Sequence, residues 1–335
     1  TLSNNVYNHF MLGLEMGTEG NRGEGIQFDP LRPSLEMIRM RTRSFRSIPF
    51  VHQYTAFAED KVTFHTGKMR TEIQAGVRFT KLQTEALRYA PTADPRINVR
   101  QILLEQNENP LLKHLSIRAS WGLMRKMPVL AYLYPDKSYT DKNSFTYNDM
   151  ENNERLTVMH TFVTDHTFNP NLRLPVNRKL ELGLNLRLGQ MTADIVWFRE
   201  HLQNGFSTTE QAEPFTYRRY DPLTGKGEYP ELTPDGVVNN GKPLSYTTLA
   251  TFATFTSPEN GIEQLKQGIE YTFDMGHWNT LHTSLFISGS YLKLHEKNTA
   301  LSAVYPQVEL NGKPYPYVGI YEADHLAANL RVWQQ

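Results

Sequence analysis

Lys179-Leu-Glu-Leu-Gly-Leu-Asn-Leu-Arg-Leu188 alternates without a break. Leu180, Leu182, Leu184, Leu186 and Leu188 fall on one side of an extended strand, and Lys179, Glu181, Gly183, Asn185 and Arg187 on the other, because successive strand side chains point to opposite faces. Ten residues at about 3.3 Å each reach roughly 33 Å, close to what a tilted strand needs to cross a bilayer. One face is uniformly apolar and the other is charged, which fits a membrane β-barrel wall with lipid outside and water inside.

The same period recurs. Ile73, Ala75, Val77 and Phe79 alternate with Glu72, Gln74, Gly76 and Arg78. Leu115, Ile117, Ala119, Trp121 and Leu123 alternate with Ser116, Arg118, Ser120 and Gly122. Leu281 to Tyr291 repeats the pattern with Phe286 among the polar positions, and Phe10, Leu12, Leu14 and Met16 interleave with Met11, Gly13, Glu15 and Gly17. No helical stripe competes, so the chain reads as all-β.

The alternation predicts ten strands at about 5–17, 50–63, 69–84, 97–105, 114–127, 171–188, 191–203, 261–273, 279–295 and 322–334. Connections between them alternate short and long. The short ones, Phe64-His-Thr-Gly-Lys68, Gln106-Asn-Glu-Asn-Pro110, Gly189-Gln190 and Asp274-Met-Gly-His-Trp278, carry hairpin residues. The long ones run about 18–49, 85–96, 128–170, 204–260 and 296–321. Antiparallel up-and-down strands then put every short turn at one end and every long loop at the other, the asymmetry of outer-membrane barrels with periplasmic turns and extracellular loops. Trp121, Tyr132, Tyr134, Trp197, Phe198, Trp278, Tyr291 and Trp333 near strand ends suit interfacial girdles or ordinary β packing.

Composition narrows the function. The 335 residues hold 35 basic and 35 acidic side chains, without the basic excess of a nucleic-acid binder. No 18-residue apolar run offers a transmembrane helix, and a barrel needs none. Cysteine is absent, which removes disulfide and thiolate chemistry and is compatible with an oxidising periplasm. Thr1 opens no signal peptide, so the expectation is a processed chain or one that begins inside a longer protein.

No catalytic site, metal site or cofactor is expected. Gly17, Gly20, Gly23 and Gly25 lack the Lys-Ser/Thr of a phosphate loop, and His160, His166, His277 and His282 lack metal-helix spacing. Asp141, Asp149, Glu151 and Glu154 lack the calcium-loop order, and no Gly-x-Ser-x-Gly elbow occurs. Arg39, Arg41 and Arg43 share one side of an extended run. That row suits a solute carboxylate or phosphate, or else a solvated edge. Tyr132, Tyr134, Tyr139, Tyr147, Tyr217, Tyr220 and Tyr229 crowd the long loops and suit stacking on sugars or packing on peptides. The candidate solute-binding set is Arg39, Arg41, Arg43, Tyr132, Tyr134, Tyr217 and Tyr220.

Phe57-Ala-Glu-Asp-Lys-Val62, Gln74-Ala-Gly-Val-Arg-Phe79, Leu115-Ser-Ile-Arg-Ala-Ser-Trp-Gly122 and Met127-Pro-Val-Leu-Ala-Tyr-Leu-Tyr-Pro135 follow one another in order. Asn169-Pro-Asn-Leu172, Glu181-Leu-Gly-Leu184 and Asp194-Ile-Val-Trp-Phe198 continue the series. Over roughly 50–206 the chain resembles the barrel of TonB-dependent outer-membrane receptors, and Phe28-Asp-Pro-Leu-Arg-Pro33 to Ile48-Pro49 resembles the SusC-like branch of Bacteroidetes. The resemblance implies a barrel of about 22 strands around an N-terminal plug that contacts TonB. With ten strands here, residues 1–335 are expected to be one internal barrel piece, with the plug and the C-terminal strands outside it. It further implies the outer membrane of a Gram-negative bacterium, import of a scarce glycan, peptide or iron chelate, and, in the SusC-like branch, a SusD-like surface lipoprotein. The alternative is a β-rich surface module that displays residues 128–170 and 204–260 to a ligand without transport.

Overall fold

The computed structural model describes residues 6–27, 41–106, 111–149, 152, 154–223, 227–280, 282–304, 309–311, 313–314 and 319–334, the last strand by its backbone. Its main sheet has ten strands: β1 (Val6–Glu19), β2 (Val51–Thr66), β3 (Met69–Gln83), β4 (Thr92–Glu105), β5 (Leu112–Arg125), β6 (Val176–Leu188), β7 (Met191–Tyr220), β8 (Tyr246–Trp278), β9 (Thr283–Val304) and β10 (Gly319–Gln334). Each pairs antiparallel with the next in chain order, so the sheet is an up-and-down arc of barrel wall, open between β1 and β10.

The two faces separate as the alternation requires. Ladder partners such as Ile117 with Leu184 and Leu184 with Ile195 share a face, and that face stays uncovered: Leu182 is 48% exposed, Leu12 69% and Leu14 86%. The opposite face is stitched by polar pairs. Arg118 grips Asp194 through two hydrogen bonds of 2.8 Å. Lys179 meets Glu181 at 2.7 Å and Glu200 at 3.3 Å, and Ser120 donates to Glu181 at 3.0 Å. Arg96 pairs with Glu59, and Arg78 with Glu15. A soluble sheet would bury its apolar side, whereas this one buries little between its short turns and leaves a hydrocarbon-compatible exterior.

Several boundaries differ from expectation. Thr66 pairs with Met69, so the first turn shrinks to Gly67-Lys68. Residues 274–278 belong to β8 and the reversal follows Trp278. There Gly276 takes φ +73°, its N–H bonds the Asp274 carboxylate at 2.9 Å, and the ladder bulges between Asp274 and His277. The turn chemistry of that stretch is used for a bulge. β4 starts at Thr92, with Pro95 inside the ladder opposite Val77.

The largest departure is the segment 204–260, expected as loop. β7 and β8 run for 30 and 33 residues and stay paired from Thr192–Asp274 out to Tyr220–Tyr246. At about 3.3 Å per residue each reaches roughly 100 Å, about three times the hydrocarbon thickness. The expected strand limits, 203 and 261, coincide with a register break at Glu259–Gln264. Asn204 there adopts φ +54°. Asn260 holds the break: its amide donates to the carbonyls of Asn204 at 2.7 Å and Arg173 at 2.8 Å, and its side-chain oxygen accepts from the Arg173 N–H at 2.6 Å. Beyond it the hairpin continues as an arm past the wall.

The expected loop 128–170 is also structured. Ser138–Asp149 and Glu154–Thr164 form a hairpin that packs on the arm through Phe162, Phe215, Tyr217 and Leu249 and through Phe145, Val158 and Val237.

Candidate functional site

The polar face of β1–β6 forms a trough of about 830 Å³ lined by Glu15, Glu59, Arg78, Arg96, Lys179 and Glu181. Its charges are paired with one another, so the trough is a wet, nearly neutral surface rather than a one-signed funnel. At the long-connection end, the segment after β5 folds back over it. Leu130–Leu133 makes one helical turn, and Leu133, 1% exposed, inserts against Val51 and Leu82. Those two residues share the alternation of Glu59 and Arg78, so the turn packs on the polar face, and Met127 lies against the trough beneath.

Three ties hold this cover. The Tyr134 hydroxyl meets Thr84 Oγ1 at 2.8 Å and accepts from the Glu85 N–H at 3.2 Å. Arg43 donates to the Tyr134 carbonyl at 2.7 Å and lies 3.7 Å from the Asp136 carboxylate. Tyr132 stands edge-on to Phe206, ring centroids 5.4 Å apart. Burial pushes the hydroxyl of Tyr89, within the same cluster, up to about 12, so it stays neutral at any physiological pH.

The candidate residues therefore divide into three groups. Arg43, Tyr132 and Tyr134 belong to the cover over the trough, whereas Arg41 is held by the hairpin Ser138–Thr164. Arg41 bonds Asp141 at 2.7 and 2.9 Å and stacks over the Tyr139 ring at 5.2 Å. Tyr217 and Tyr220 lie away on the arm: Tyr217 is buried in the cluster with Phe215 and Leu249, and Tyr220 packs edge-on to Phe145 and Tyr246. Arg39 lies outside the described residues. Sequence reasoning passed over Leu133 and Asn260. Leu133 leaves no periodic trace in so short a turn, and the role of Asn260 depends on chain more than fifty residues away. Among the described residues no three His, Asp or Glu side chains gather to hold a metal.

Residues 2–332 match the model of the TonB dependent receptor-like β-barrel. The chain belongs to this family. Among solved structures, the siderophore receptor PirA from Acinetobacter baumannii aligns over 97% of this chain and 45% of its own, with 12% identity and a TM-score of 0.41. The chain thus spans under half the length of that receptor. No curated protein matches. For a TonB-dependent receptor barrel, the polar face is the lumen and the apolar face meets lipid.

Proposed function

We propose that this chain supplies wall and outer surface to an outer-membrane receptor that imports a scarce solute. The observation that carries the reading is the family match along an up-and-down sheet whose long connections all leave from one end. That end is taken as extracellular and the short-turn end as periplasmic. Import would draw on the inner-membrane TonB complex acting through a plug that lies outside this chain, with the remaining barrel strands also outside it.

Solute recognition is assigned to the mouth of the trough, with Arg43, Tyr132 and Tyr134 in its cover, Arg41 on the adjoining hairpin and Arg39 next in the same run. Tyr217 and Tyr220 shape the neighbouring arm. Half-buried tyrosine rings beside guanidinium groups suit a glycan, a peptide or an iron chelate. Membership of the SusC-like branch would favour glycan or peptide and add a SusD-like lipoprotein over the long loops.

Growth of a strain lacking the full-length receptor, compared on single carbon, nitrogen and iron sources, tests this reading. A defect on one source, restored by the intact receptor and not by one lacking residues 127–137, is expected. Equal growth on every source would overturn it.

A further inference from the structure

On the lipid-facing side of β6–β9 the residues nearest the long-connection end change character. Ladder partners place Arg178, His201, Leu265 and His295 in one row, and Leu180, Arg199, Gln267 and Lys293 in the next. The row below holds Leu182, Trp197, Ile269 and Tyr291. Arg178, Arg199, Lys293 and His295 are all exposed. At about 4.8 Å between strands, Arg199 and Lys293 stand roughly 10 Å apart across Gln267, within reach of one group held between them.

Among the described residues, little nearby neutralises these cations. Arg178 donates at 2.8 Å to the side-chain oxygen of Gln203, a neutral partner. Arg199 has Leu180 and Gln267 as ladder neighbours, and Lys293 has Gln267 and Ala328. Glu263 is engaged with His201 at 2.8 Å, and the ladder register sets Asp324 opposite Lys297, two rows from Lys293. The patch is local and one-ended. On β1–β5 the same alternation puts Lys81 and Arg125 at the upper end, and both are tied: Lys81 to the Tyr89 carbonyl at 2.8 Å and Arg125 to the Ala93 carbonyl at 2.8 Å and the Asp94 carboxylate. The turn end of β6–β9 presents Leu186, Ala193, Phe273 and Ile287 with no charge.

We propose that Arg178, Arg199 and Lys293, with His295 beside them, form a binding site for the phosphate of an outer-leaflet lipid headgroup. The Trp197–Tyr291 row is the level at which amphipathic rings sit between hydrocarbon and headgroups. Cations one to two rows above it meet the phosphates of a lipid whose acyl chains lie along Leu182, Leu184 and Ile269. A guanidinium offers paired donors to phosphate oxygens and an ammonium a compact charge, so two side chains can share one phosphate. The proposal rests on the barrel reading above, and the test separates the two.

The full-length receptor is purified in a neutral detergent, and its binding of diphosphorylated lipid A and of phosphate-free lipid A is measured by native mass spectrometry. Heat-modifiable migration reports barrel closure in every sample. The intact receptor should retain the phosphorylated lipid and lose the phosphate-free one. R199Q/K293Q should bind the phosphorylated lipid about 30-fold more weakly, from two cations at about 1 kcal/mol each, while R199K/K293R keeps binding and both variants stay heat-modifiable. Undiminished binding by R199Q/K293Q, equal binding of both lipids, or displacement by excess inorganic phosphate would each overturn the site. A receptor that is monodisperse without detergent would instead overturn the barrel reading itself.

Discussion

Gly183 shows how one position serves both faces of the wall. It interrupts the polar side of the leucine strand, where a Cβ would come within 2.6 Å of the Arg118 guanidinium. The vacancy lets Arg118 cross β6 to reach Asp194 on β7. One residue along, Leu184 lies on the lipid face and Asn185 on the lumen face beside Asp194. Leu184→Arg is expected to weaken assembly by about 2–4 kcal/mol if the residue sits near the midplane, with Asn185→Arg nearly silent; the yield of heat-modifiable barrel measures both. Equal yields would contradict the assignment of faces. Asn260 makes a different claim. Asn260→Ala leaves the Asn204 and Arg173 carbonyls without their donor, a loss of about 1–3 kcal/mol. The expected readout is faster protease cleavage near 204 and 260 with the barrel still heat-modifiable.

At the scale of elements, the arm formed by the outer halves of β7 and β8 is held by its own ladder, by the hairpin Ser138–Thr164 and, at its base, by β9, whose Leu301 and Ala303 N–H groups donate to Thr209 at 3.0 Å and Glu210 at 2.6 Å. The Asp221 N–H bonds the Ser245 carbonyl at 3.0 Å, so the ladder closes just before residues 222–244. Replacing those residues with Asn-Gly, which suits a two-residue hairpin, should leave barrel and arm intact. Val237, Leu223 and Leu244 would then be gone from around Phe145 and Val158, while Phe162 would keep Phe215. Hydrogen exchange should therefore quicken at 145–158 and not at 160–164. A longer deletion, 215–245, would also remove Phe215 and Tyr217 and release the whole hairpin.

For the whole molecule, sidedness is the consequence that matters. All long connections leave the sheet at one end and all short turns at the other. A tag inserted at Gly241, an open turn position with φ +74°, is expected to be stained on intact cells expressing the full-length receptor. A tag at Gly189 should be stained only after the outer membrane is permeabilised. Staining of the Gly189 tag on intact cells would invert the barrel and place both the mouth and the cationic patch on the periplasmic side.

The ten wall strands, their order and their two faces were legible in the chain itself. Alternation is a local property of an extended backbone, and short turns force consecutive strands to pair. The bilayer sharpens the signal, since lipid on one side and water on the other leave no ambiguity in Leu180 to Leu188. Residues beyond the register break carry a weaker version, Leu249-x-Thr251-x-Ala253-x-Phe255, with a threonine and an alanine on the face that the structure buries. Whether those residues extend as strand or fall into loop depended on the hairpin that packs against them. The same holds at the mouth. Arg41 and Asp141 are 100 residues apart in the chain, and Leu133 is buried only because its segment folds back onto Val51 and Leu82. No local pattern encodes such meetings; they arise when distant apolar surface and unpaired charge are brought together by the completed wall.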